Sequence, residues 1–136
     1  MRESTYELGD ESVRLVANFQ ASIQIAKEIY DPLEIMRIAS LEQLFQTRGI
    51  PYTPPWKFDV ENIPQMIYIG YKAAGGTKPL EHIQNLCFDA GFIESSAVAI
   101  TYLTTIVGPT SEEEMPKAKD EEPKPKKTRA VRGKTS

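Results

Sequence analysis

The chain has 136 residues, with 16 Lys and Arg against 19 Asp and Glu, one His and one Cys, a length that suits a single domain. One cysteine makes no internal disulfide, Met1-Arg2-Glu3-Ser4 is not a basic-then-apolar signal, and no apolar run reaches the ~18 residues of a membrane span. A disulfide-stapled secreted scaffold and a membrane protein therefore fall away, and a soluble cytosolic protein is expected. Charge divides the chain: residues 1–108 carry 8 bases and 13 acids, 111–122 six acids and two lysines, and 123–136 six bases and no acid. A block-charged, Pro- and Lys-rich segment without aromatics cannot bury enough surface to offset its ordering entropy. The expected organisation is a small folded domain over 1–108 and a disordered acidic-then-basic tail over 109–136.

Thr5–Leu8 and Val13–Val16 alternate with period 2 around Gly9-Asp10-Glu11-Ser12, which has turn chemistry, so the chain should open on a β-hairpin. Tyr6 and Leu8 share a face with Val13 and Leu15, or with Arg14 and Val16, depending on register. An isolated hairpin is marginal in water, so it needs helices as a platform. Asn18 suits the N-cap of a first helix over 19–30, with Phe19, Ile23, Ala26 and Tyr30 as one stripe. Asp31 then caps a second helix to about Arg48 with Pro32 at its first position, where a missing N–H costs nothing. Its apolar members are Leu33, Met36, Ile38, Leu41, Leu44 and Phe45, and Gly49 ends it.

Residues 50–57 hold Pro51, Pro54 and Pro55 around Tyr52 and Trp56 and must be loop. Asp59 should cap a third helix, interrupted or begun afresh at Pro64, that runs to about Ala74 and stops at Gly75-Gly76. Thr77 should cap a fourth, over 78–90, with Leu80, Ile83, Leu86 and Cys87 on one face. A fifth runs from about Ile93 to Val107 and ends at Gly108. The expected fold class is mainly α: a short N-terminal β-hairpin followed by four or five short helices.

Catalytic chemistry is not visible. A lone His82 makes no multi-histidine metal site, and Cys87 five residues later has no ligand spacing to it. Gly70 to Lys78, GYKAAGGTK, has Lys and the hydroxyl residue in the wrong order for a phosphate loop, and a helix rather than a strand precedes it. Neither an enzyme nor a bound cofactor or metal is expected.

Two features ask for a partner. The fifth helix is apolar around most of its circumference, including Val98, Tyr102, Leu103 and Ile106. Such a helix is either central in a core or shared with another chain, a second copy of itself included. Tyr52 and Trp56, among prolines, either pack their loop onto the helices or anchor a partner, as aromatic hot spots do.

The order of parts resembles one family. A hairpin, YELGDESVRL, leads through VANFQASIQIAKEIYDPLEI into a Pro-initiated helix. FDVENIPQMIYIGYKAAGG and LEHIQNLCFDAGFIESSAVAITYLTTIVG follow, an acid-capped helix closing in glycine and then a helix, a glycine and a last apolar helix. Over about residues 5–108 this resembles the tail assembly chaperones of long-tailed phages and the related gene transfer agent proteins. The three-proline loop of residues 49–57 departs from the more compact members. The resemblance implies a protein of the host cytoplasm, absent from the finished particle. It implies binding to the tape measure protein and help for tail tube protein subunits polymerising around it. Proteins of this kind are often made in two lengths through a programmed −1 ribosomal slip near the stop codon. Gly133-Lys134, and Lys126-Lys127 before it, are residue pairs whose codons can permit one. A rival of another class is a nucleic-acid-binding regulator whose basic tail, including Lys124, Lys126, Lys127 and Arg129, contacts phosphate. The net −5 of the first 108 residues argues against it.

Overall fold

A computed structural model describes residues 2–108; the expected tail disorder, its basic run and the Gly133-Lys134 pair lie outside the described residues. The chain opens on strands β1 (Arg2–Leu8) and β2 (Glu11–Ala17), paired antiparallel with Tyr6 opposite Val13 and Leu8 opposite Glu11. That register puts Tyr6, Leu8, Val13 and Leu15 on one face, and the last three are buried. The turn is tighter than the sequence suggests: only Gly9 and Asp10 lie between the strands, and Gly9 takes φ +67°, as two-residue hairpin turns require.

Five helices follow, and the hairpin lies across them. The first, α1 (Phe19–Glu28), is capped as expected, the Asn18 side-chain oxygen accepting from the Ala21 N–H at 2.7 Å. Its buried residues are Ala21 and Ile25 rather than the expected stripe, and Phe19 is 74% exposed. The cause is tertiary: α1 packs between β2 and later helices through its smaller side, and the aromatic faces water. Asp31 caps α2 (Pro32–Thr47) by accepting from the Leu33 N–H at 2.9 Å. Only its first half is fully buried, through Pro32, Ile35 and Ile38; Leu33 and Leu44 are exposed.

Asp59 starts the turn into α3 (Asn62–Ala73), its carboxylate accepting from the N–H groups of Glu61 and Asn62 at 2.9 and 2.7 Å. Pro64 falls in the first turn, where its missing N–H has no helical partner to lose, so the helix runs uninterrupted. The fourth helix, α4 (Leu80–Ala90), does not begin at Thr77. Pro79 holds the N-cap position, and a residue before proline is pushed out of helical geometry. The Lys78 N–H instead donates to the Tyr71 hydroxyl at 3.0 Å. Gly91, at φ +93°, turns the chain directly into α5 (Phe92–Val107).

Helices α3 and α5 form the centre. α3 touches β2, α1, α4 and α5, while α5 reaches both strands and α2, α3 and α4. Ser95, Val98, Ala99, Tyr102 and Leu103 are buried in this core. The Tyr102 hydroxyl donates to the Val16 carbonyl at 2.7 Å and so ties the last helix to the hairpin. Of the two placements open for the fifth helix, Val98, Tyr102 and Leu103 have the interior one. They pack the interior of the domain.

Candidate functional site

An apolar concavity among the described residues lies between α2, the proline-rich loop and α5, with about 580 Å³ of open space. Its walls come from three stretches of sequence. α2 contributes Met36 and Ala39 above the buried Ile35 and Ile38; the loop contributes Trp56 and Phe58; α5 contributes Ile100 and Leu103. Two charges of opposite sign stand among them, Glu42 on α2 and Lys57 on the loop.

Local chemistry explains why the loop can serve as a wall. Residues 51–58 form neither helix nor strand, with a bend at Pro55, and burial alternates after it: Lys57 is exposed between the half-buried Trp56 and Phe58. Their rings meet edge to face at 4.9 Å, and Trp56 stacks on Tyr30 at 5.8 Å with 19° between planes. These two ring contacts fix the indole in the wall of the concavity.

The six residues that the sequence offered for partner contact separate in space. Trp56 lines the groove. Tyr52 does not; it packs edge to face on Phe45, at 5.0 Å, beside the end of α2. Leu103 borders the groove from below but is only 1% exposed, Val98 and Tyr102 are interior, and Ile106 is half-buried against the core. The groove also takes Ile100 of the apolar fifth helix, together with Met36, Ala39 and Phe58, which the sequence reading does not name for partner contact. The Trp-x-Phe spacing in a proline-fixed segment was the available signal.

His82, Cys87 and Tyr102 are each held by a specific contact or by burial. The His82 ring nitrogen Nε2 lies 3.1 Å from Glu11 Oε1, joining α4 to β2. Cys87 is fully buried, and burial pushes its thiol above the ordinary range, away from the reactive thiolate. Burial likewise raises the Tyr102 phenol, whose proton is held on the Val16 carbonyl. Among the described residues no group of three or more His, Cys, Asp or Glu is placed to hold a metal ion. No single helix among them is long and apolar enough to cross a membrane. No protein-family model matches the chain, and no curated protein or solved structure matches it.

Proposed function

We propose that this protein is a tail assembly chaperone of a long-tailed phage or gene transfer agent: a binding protein of the host cytoplasm, not an enzyme. Its client is the tape measure protein, kept soluble while tail tube protein assembles around it. The observation that carries the reading is the groove at Trp56. It is an apolar trough walled by the helices α2 and α5 and by the aromatic loop at Trp56, with one acidic and one basic side chain beside it, chemistry that suits the apolar face of an amphipathic helix. The resemblance of residues 5–108 in the order and punctuation of their elements supplies the identity of that helix. A tape measure protein is long, helical and insoluble by itself. Contact with tail tube subunits is assigned to a longer product, read through a −1 slip at Gly133-Lys134.

Co-expression with the very long helical open reading frame of the same gene cluster tests this. The full-length chain is expected to hold that protein in the soluble fraction and to co-purify with it. Trp56→Ala should keep its helix content and lose the client, whereas Val60→Ala, exposed and outside the groove, should keep both. A client that stays insoluble with the wild type, or is equally retained by Trp56→Ala, refutes the reading. A gene without a slippery heptamer over Gly133-Lys134 or Lys126-Lys127 refutes the longer product.

A further inference from the structure

The loop wall of the Trp56 concavity is seated on the domain almost without hydrogen bonds. The last backbone bond before it is Ile50 N–H to the Phe45 carbonyl, at 2.9 Å, and the next N–H to find a partner is Asp59, on the Asn62 side chain. Of residues 51–58, three are prolines, which have no N–H. The N–H groups of the other five make no hydrogen bond among the described residues. One carbonyl is paired, that of Lys57, which accepts from the Asn62 side-chain amide at 3.1 Å. Side-chain contacts therefore carry the loop: Tyr52 on Phe45 near its start, and Trp56 with its two neighbouring rings further on.

Of the two rings that touch the indole, Phe58 belongs to the same loop and Tyr30 does not. Tyr30 is fixed by backbone bonds on both sides. Its N–H and that of Ile29 converge on the carbonyl of the fully buried Ile25, at 2.9 and 2.8 Å, and so close α1. The next residue, Asp31, caps α2 with its side chain, and its carbonyl accepts from the Ile35 N–H at 3.0 Å. A ring pinned between two helices thus faces a ring on a segment that has no hydrogen-bond ladder. Order runs from Tyr30 to Trp56 and not the other way.

We propose that Tyr30 is a positioning residue for the docking groove. It does not border the concavity itself, but it holds the Trp56 indole in the wall and thereby sets how tightly the groove grips an amphipathic helix. This rests on the reading of the concavity as the client site. The stack, at 5.8 Å and 19°, lies within the range of about 4.5–7 Å that aromatic pairs favour. An indole without that support must be ordered when the helix arrives, and the ordering opposes binding. The strength of one aromatic pair sets the scale: its loss should weaken client binding about two- to tenfold.

Trp56 is the one tryptophan of the chain, so its fluorescence in the full-length protein reports on this wall alone. Tyr30→Leu keeps apolar bulk and removes the ring, whereas Tyr30→Phe keeps the ring and removes only the hydroxyl. At unchanged helix content, Tyr30→Leu should raise the quenching of Trp56 by acrylamide and shift its emission to the red. In co-expression it should retain about two- to tenfold less client. Tyr30→Phe should match the wild type in both. Tyr30→Met, ringless and more adaptable, takes the place of Tyr30→Leu if that variant does not fold. Emission and quenching unchanged in the ringless variant overturn the proposal. So does Tyr30→Phe behaving like Tyr30→Leu, or a client bound by the wild type and held equally once the indole has moved. A wild type that holds no client removes the client reading by itself, and the quenching comparison still decides whether Tyr30 places the indole.

Discussion

Gly70→Ala puts local and tertiary physics in direct opposition. Gly70 sits inside α3, where helix propensity alone favours alanine by about 1 kcal/mol. A Cβ there would stand 2.7 Å from Cζ of Tyr102, 2.9 Å from Cε1 and 3.0 Å from its hydroxyl oxygen. Tyr102 has no room to retreat: it is 1% exposed and fixed by its bond to the Val16 carbonyl. Overpacking of a tight core costs about 1–3 kcal/mol. Displacing the ring also leaves a buried carbonyl without its donor, a further ~1–3 kcal/mol. Set against the propensity gain, the expected net loss is about 1–5 kcal/mol, a fall in Tm of roughly 4 °C or more for a domain of this size. Urea unfolding followed by circular dichroism measures it, with an unchanged m-value showing that the denatured state is unaffected. Combining the change with Tyr102→Leu should cost clearly less than the sum of the two single changes, since the ring is what the methyl strikes. A Gly70→Ala protein as stable as the wild type, or more so, would refute the close packing of α3 on α5.

Leu103→Lys should destabilise by at least about 3 kcal/mol, losing a buried side chain and burying an unpaired charge; a variant that melts like the wild type contradicts the interior placement. Because the Tyr102 phenol is raised above its ordinary 10.0 in the folded state, its contribution is fully present below pH 10 and lost as the unfolded chain ionises above it. Stability should therefore fall by up to about 1.4 kcal/mol per pH unit above 10 from this group alone, and Tyr102→Phe should remove that part of the slope. A chain ending at Gly108 should unfold within about 1 kcal/mol of the full-length protein, because the removed residues are block-charged and nearly without large apolar side chains. A cooperative loss of helix on truncation would contradict it.

Much of the fold is legible in the sequence because it is written in backbone chemistry. Asn18, Asp31 and Asp59 mark the starts of α1, α2 and α3 through side-chain oxygens that accept exposed N–H groups, an interaction that needs only neighbours in the chain. Gly49, Gly75 and Gly91 mark ends by taking positive φ. The failure at Thr77 is of the same local kind: Pro79 two residues later overrules a good capping residue. Which face of a helix is buried is a different matter. Phe19 and Leu33 fit the helical stripes but are exposed, because the hairpin and α3 determine which sides of α1 and α2 meet the core. The groove shows the same limit. Trp56 was visible as an isolated aromatic among prolines, but its neighbours Met36, Ala39 and Ile100 come from helices 17 or more residues away in sequence.

The last helix shows why composition alone could not choose between core and contact. Its apolar residues occupy most of the circumference, some on the inner and some on the outer side. Val98, Tyr102 and Leu103 point into a core that encloses α5 on several sides, while Ile93, Ala97 and Ile100 remain outside. What separates the two sides is hydrogen bonding that a helical wheel does not display. The inner side holds Ser95, whose hydroxyl donates to Cys87 and Gly91 carbonyls and closes the α4–α5 corner, and Tyr102, whose hydroxyl reaches the hairpin. Both polar groups are spent on tertiary structure. The outer side holds Ser96, Thr101 and Thr104, whose hydroxyls return to their own helix. A solvent-facing helix ordinarily gains from charged pairs four residues apart. The outer side of α5 has none beyond Glu94. A charge placed at Ile93, which is 90% exposed, therefore leaves the fold untouched, whereas the same charge at the buried Leu103 disrupts it.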